Sequence, residues 1–191
     1  MRRIALINQR YGLEVNGGSE YYTRLIAEKL SKNFDVEVLT TTAIGYDTWE
    51  NYYSEGTEKI NGIKVRRFRV DRPRDVAAFN KLTDKLVSDT ERTPEDERRW
   101  IDAQGPVCDS LINYICAHKE DYDIFVFVTY LYYLTAKGLP QIAEKSVLIP
   151  TAHDEPYIYF NVYRDIFLKP QGIIYLTDEE KDWLKEYTRV I

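Results

Sequence analysis

The sequence predicts an α/β protein, a Rossmann-like three-layer sandwich around a mostly parallel central sheet. Three observations carry this. Two short apolar runs, Arg3 to Asn8 and Ile124 to Val128, suit strands buried on both faces of a parallel sheet. The first is followed by a loop, a helix and a second strand, Val36 to Thr40, and a right-handed crossover makes those strands parallel. The loop closes on Asn16-Gly17-Gly18-Ser19-Glu20. Strand, glycine pair and helix together turn the positive end of a helix toward an anion, and glycine lets a ligand approach the backbone closely.

The elements follow in order. Helix one runs from about Ser19 to Ser31, with Tyr22, Leu25, Ile26 and Leu30 at helical spacing. Ala43 to Tyr53 has no clear period and reads as loop. Asn61-Gly62 marks a hairpin turn, and Ile63 to Val70 is the strand after it. Its apolar residues change parity between Val65 and Phe68, which predicts a bulge or bend. Val76 to Val87 is helical. Thr93-Pro94-Glu95-Asp96 opens another helix, with a capping residue, a proline at the first position and acids in the first turn. Gly105-Pro106 breaks or kinks it, and the pattern resumes to about His118. After the strand Ile124 to Val128, Thr129 to Ala136 begins a helix or a loop. Ser146 to Pro150 is a strand, Tyr157 to Phe167 a helix, Gly172 to Thr177 a short strand, and Asp178 to Tyr187 a final helix capped by Thr177. Arg189-Val190-Ile191 reads as the start of one more strand, so a longer parent chain is expected.

Length and composition narrow the function. The 191 residues suffice for one α/β domain with a buried core. A net charge of -5 makes nucleic acid an unpromising partner. Arg2-Arg3 leads directly into a short strand rather than into the apolar core of a signal peptide. The longest apolar stretch, Ile124 to Leu134, falls short of the roughly 18 residues of a spanning helix. Cys108 and Cys116 lie roughly 12 Å apart along a helix, too far for a disulfide. They read as buried thiols in a reducing compartment. Sixteen tyrosines could form carbohydrate-stacking surfaces or partly buried aromatic packing.

Ligands of an open α/β sheet bind beyond the carboxyl ends of its strands. Three stretches meet that edge: Asn16-Gly17-Gly18, Thr129-Tyr130 and His153-Asp154-Glu155. The G-x-G-x-x-G turn of dinucleotide sites is absent, because Gly12 is wrongly spaced from the Gly17-Gly18 pair. The second strand also ends in Thr40-Thr41-Thr42, with no acid for a ribose. No phosphate-loop motif occurs. His118, near a helix end, reads as structural. His153 reads as a hydrogen-bonding ligand contact. A metal site is not expected, since His153, Asp154 and Glu155 are sequential neighbours that cannot easily face one ion. The run Arg66, Arg67, Arg69, Arg72, Arg74 is open to two readings, a solvated rim or a contact with an acidic or phosphorylated ligand.

With these residues in place, the chain resembles the amino-terminal half of the GT-B glycosyltransferases of the group 1, or family four, type. The resemblance rests on Gly17-Gly18-Ser19-Glu20 at the head of a helix, the match of that helix and Val36 to Thr40, Asp123 before a strand, His153-Asp154 at the end of another, and Ile173 to Thr177 before a helix. It implies one half of a GT-B fold, acting on the acceptor side of a retaining transfer from a nucleotide-sugar to a glycan, lipid-linked or small-molecule acceptor. It implies a donor diphosphate near Gly17 and Gly18 and a donor-sugar contact at His153. Asp154 joins His153 as a catalytic candidate. Asn16, Thr129, Tyr130 and Glu155 are cleft or acceptor candidates. The resemblance implies no metal and no cofactor beyond the donor substrate. A carboxyl-terminal donor-binding domain with an E-x7-E pattern is expected outside this sequence, so the fragment alone is expected to be inactive. The implied setting is cytoplasmic polysaccharide biosynthesis, with peripheral membrane contact left open for the full-length protein. Thr90 to Ala103 departs from the pattern as an inserted or lengthened segment on the acceptor side. The alternative is a sugar- or nucleotide-binding module without catalysis.

Overall fold

The structure, a computed structural model, describes residues 1–190. Seven strands form one sheet: β1 (Arg3–Ile7), β2 (Asp35–Thr41), β3 (Gly56–Ile60), β4 (Ile63–Phe68), β5 (Ile124–Val128), β6 (Ser146–Ile149) and β7 (Gly172–Ile173). Their order is β3-β4-β2-β1-β5-β6-β7. Every neighbouring pair is parallel except the β3–β4 hairpin. The six parallel strands therefore run outward in both directions from β1 and β5, the doubly wound Rossmann-like order, and the chain reverses direction between those two strands.

Alternation of side chains puts two apolar cores on the two faces. Ala5, Ile7, Phe125 and Phe127 enter one core; Ile4, Leu6, Val126 and Val128 enter the other. Among the described residues α1 (Gly18–Leu30) is the helix on the second face, seated through Ala27, Tyr22, Ile26 and Leu30. The first face carries α2 (Val76–Ser88), α3 (Pro94–Gln104), α4 (Asp109–Ala117), α5 (Tyr133–Gly138), α6 (Arg164–Leu168) and α7 (Asp178–Val190). No helix among the described residues is long and apolar enough to cross a membrane.

Several expectations need correction. β4 has no bulge, since its register with β2 and β3 is unbroken. The parity changes because Arg67, in phase with Ile63 and Val65, is itself buried; it pairs with Glu58 at 2.5 Å and lies 3.8 Å from the centre of the Tyr53 ring. The Ala43 to Tyr53 loop is pinned from within: Trp49 is 1% exposed, and Asn51 bonds both the N–H and the carbonyl of Val70 at 2.8 and 2.9 Å. Tyr157 to Phe167 is not one helix; 3-10 turns at Pro156–Tyr159 and Asn161–Tyr163 precede α6. β7 is only two residues long. Arg189 and Val190 continue α7 rather than begin a strand, and Ile191 lies outside the described residues. Cys108 is buried but Cys116 is exposed, so only the first is the interior thiol expected of both. Burial pushes the Cys108 thiol up to about 11.

The Thr90 to Ala103 segment is packed into the fold. Thr93 and Asp96 form a reciprocal capping box with Pro94 in the first turn. Glu97, 1% exposed, accepts from Arg92 Nε at 3.1 Å and from the Val162 N–H at 2.9 Å, tying α3 to the turn before α6. The break at Gly105 follows the expected position, with α3 ending at Gln104 and Gly105 at φ 68°. His118 ends α4, bonding Asp121 through Nδ1 at 2.7 Å and stacking on Tyr114.

Candidate functional site

The carboxyl ends of β1, β5 and β6 open into one cleft of about 940 Å³ at the point where the strand order reverses. Gly17, Gly18, Thr129, Tyr130, His153, Asp154 and Glu155 all line it. Asn16 does not; it is exposed beside the cleft, and its carbonyl accepts from Arg10 Nη2 at 3.2 Å. The structure thus gathers seven of eight sequence-selected positions, drawn from three distant segments.

The glycine loop leaves β1 through Asn8, whose amide bonds Thr23 Oγ1 of α1 at 2.8 Å. The two glycines then differ. Gly17 caps α1 at φ 154°, and a Cβ there would lie 2.1 Å from Glu20 Oε2. Gly18 faces open space, with nothing within 4 Å of an added Cβ. α1 has no side-chain cap on its first turn. The carboxylate of Glu20 folds back over Gly17 instead, favoured there by the helix dipole. It accepts from Ser19 Oγ at 2.8 Å and from Arg10 Nη2 at 2.5 Å. Arg10 also donates to the Ile44 carbonyl at 2.9 Å, while its buried Nε has no partner among the described residues.

The β5 loop places Tyr130 in the floor, where its hydroxyl donates to the Glu155 carboxylate. Burial, and then that hydrogen bond, hold the phenol far above its ordinary value, so Tyr130 stays protonated and acts as a donor. Tyr163 fixes the same loop through the Leu131 carbonyl at 2.6 Å.

The β6 loop turns on Thr151, at φ 50°, a left-handed conformation uncommon for a β-branched residue. That turn swings Ala152 to Glu155 off the strand end and into the cleft. The His153 ring is exposed, and among the described residues no side chain or backbone group hydrogen-bonds it. Asp154 accepts from the Tyr159 hydroxyl at 2.7 Å. Glu180 of α7 accepts from the N–H groups of Ala152 and Leu176, both at 2.7 Å, and so joins the ends of β6 and β7. Among the described residues, no three His, Cys, Asp or Glu side chains are grouped to hold a metal ion.

Charge decides what the cleft favours. Among the described residues, Glu20, Asp154, Glu155, Glu179 and Glu180 line it, against a single guanidinium, that of Arg10. Tyr21, Tyr22, Tyr46, Tyr130, Tyr132 and Trp183 supply aromatic faces and hydroxyls. Carboxylates accept hydrogen bonds from hydroxyl groups, and aromatic faces pack on the C–H surface of a sugar ring. A polyanion held by these residues alone would meet like charge. Arg10, Glu20, Glu180 and Trp183 were not picked out by sequence reasoning. Glu20 was inside the recognised motif, but nothing in a linear pattern pairs it with Arg10. No protein-family model matches the chain, and no curated protein matches it.

Proposed function

We propose that this chain is the acceptor-side half of a GT-B fold and belongs to a retaining glycosyltransferase that uses a nucleotide-sugar donor. The observation that supports this is the convergence of Gly17-Gly18, Thr129-Tyr130 and His153 to Glu155 on one cleft at the chain reversal. In this reading the aromatic and acidic wall binds a hydroxyl-rich acceptor. The exposed N-terminal turn of α1 at Gly18 meets one edge of the donor diphosphate. Most of the compensating positive charge comes from a second domain of the full-length protein, because Arg10 is committed to Glu20. His153, free of protein partners, hydrogen-bonds the donor sugar as the bond from the anomeric carbon to the leaving diphosphate breaks. Asp154 orients or polarises the incoming hydroxyl, and in an inverting variant of the chemistry it or Glu155 would be the base.

A sugar-binding module without catalysis is favoured by one observation: among the described residues, no free cation lines the cleft to offset a leaving diphosphate. One experiment separates the two. The full-length protein is screened against nucleotide-sugars, then compared with His153→Ala and with the isolated 191-residue chain. The transferase reading expects turnover that falls roughly a hundredfold in His153→Ala and is absent from the isolated chain. Sugar binding with no turnover from any donor supports the binding module. Turnover by the isolated chain overturns the two-domain reading.

A further inference from the structure

The arginine run between Arg66 and Arg74 divides in the fold. Arg66 and Arg67 are taken up by Glu37 at 3.0 Å and Glu58 at 2.5 Å. Arg72 and Arg74 instead join Arg99 of α3 in lining a separate groove of about 500 Å³ between α2 and α3. Among the described residues, none of these three has a carboxylate within ion-pair distance. Two carboxylates share the groove with the three guanidiniums: Asp75 accepts the Ala78 N–H at 2.9 Å, and Asp102 stands 3.1 Å from the Lys137 ammonium.

Arg74 is the fixed member. Its guanidinium donates to the backbone carbonyl of Gln104 through Nε at 2.8 Å and to the Gln104 side chain at 2.9 Å. It lies 5.0 Å from the Trp49 ring centre and 4.6 Å from that of Phe79. Burial pushes it down to about 10, against smaller upward pulls from Tyr132 and Asp47. A half-buried cation bonded only to neutral acceptors gains from a nearby anion. Arg72 and Arg99 are exposed, and neither has a side-chain hydrogen bond among the described residues. Arginine is the side chain suited to bidentate recognition of phosphate oxygens, and three of them line this one groove.

A third, smaller hollow shares lining residues with both the groove and the main cleft. Arg74 and Phe79 line this hollow of about 270 Å³, whose other wall includes Tyr46, Tyr132 and Glu155. Those three line the main cleft as well.

We propose that the α2–α3 groove is a second binding site, one that seats a phosphate-bearing group of the acceptor on Arg72, Arg74 and Arg99 while the acceptor's hydroxyl end lies in the main cleft. The role given to the acceptor rests on the transferase reading; the phosphate site does not. The phosphate can belong to a soluble molecule or to a lipid headgroup, and the chemistry of the seat is the same.

The test measures binding rather than transfer. The 191-residue chain is titrated calorimetrically with inorganic pyrophosphate and, separately, sedimented with phosphatidylcholine vesicles with and without phosphatidic acid. Saturable binding of at least one phosphate probe is expected. It should weaken roughly tenfold or more in Arg72→Glu/Arg99→Glu, a loss of about 1.4 kcal/mol or more. Lys32→Glu/Lys59→Glu, exposed positions outside the groove, changes net charge equally and should leave binding near the original. Thermal melts confirm that both double variants fold, and neither removes the structural Arg74. Pyrophosphate binding assigns a soluble phosphate, and retention only on phosphatidic acid vesicles assigns a lipid one. Equal binding by the groove variant and the original chain overturns the proposal, as does the absence of binding to both probes. A full-length protein that transferred no sugar would refute the transferase reading and leave this result intact.

Discussion

The Arg10 guanidinium meets the Glu20 carboxylate at 2.5 Å beneath the glycine loop, with the two side chains 7% and 4% exposed. The pair neutralises a carboxylate that would otherwise stand unpaired in the cleft floor. It also joins the loop after β1 to the first turn of α1, because Arg10 bonds the Asn16 and Ile44 carbonyls with the same guanidinium. Removing one member of a buried pair costs about 3–5 kcal/mol, since the other charge stays buried alone. Arg10→Ala is therefore expected to lower the urea midpoint by that equivalent, and Glu20→Gln added to it should recover part of the loss. A midpoint unchanged in Arg10→Ala would mean that Glu20 can reach water unaided.

The two glycines make a sharper pair of variants. Gly17→Ala puts a Cβ 2.1 Å from Glu20 Oε2 and demands φ 154°, so it should cost about 1–3 kcal/mol in the isolated chain. Gly18→Ala meets nothing within 4 Å and should leave stability unchanged or slightly raised. Any loss of activity in full-length Gly18→Ala with an unchanged melting temperature then reports on a ligand that needs close approach. Equal destabilisation by the two substitutions would show that the loop does not follow this geometry.

What could be read in the sequence follows from where the information lies. β1 and β5 were legible because strands buried on both faces must be apolar throughout, and the glycine pair because a helix entry of this shape requires it. β4 was misread because Arg67 takes an interior position and is paid for by Glu58 and Tyr53, which lie outside its own strand. The Arg10–Glu20 pair and the Glu180 bridge between the β6 and β7 loops are likewise tertiary. No periodicity announces them. The division of the arginine run was hidden for the same reason, since Arg99 reaches the groove from another helix.

Trp100 tests whether the Thr90 to Ala103 segment belongs to the core. The indole is fully buried, stacks on Tyr157 at 5.3 Å, meets Phe160 edge-on at 5.3 Å, and donates through Nε1 to Thr83 Oγ1 at 2.8 Å. Trp100→Ala should cost about 3–5 kcal/mol. Thr83→Val, which leaves the indole N–H unpaired, should cost about 1–3 kcal/mol. A dispensable insertion would let Trp100→Ala melt at the original temperature.

Glu37 on β2 carries the clearest pH dependence. Its carboxylate, 1% exposed, takes Arg3 at 2.6 Å, Arg66 at 3.0 Å, Lys64 at 3.2 Å and the Tyr122 hydroxyl at 2.9 Å. Burial alone would raise the carboxyl; the hydrogen bonds from Tyr122, Lys64, Arg66 and Arg3 outweigh it and hold it below its ordinary 4.5. A folded-state value below the unfolded one stabilises the fold fully above the unfolded value, and the benefit is lost as pH falls through the folded one. Glu37→Gln should cost roughly 2 kcal/mol at neutral pH, less than for a fully buried pair because the three cations are about a third exposed and can rehydrate. The difference in urea stability between the two proteins should hold constant from neutral pH down to about 5 and shrink below 4.5. Glu14 and Asp96, also held low, are common to both proteins and cancel in that difference. A difference that stayed flat through the acid limb would mean that Glu37 titrates alike in the folded and unfolded chains.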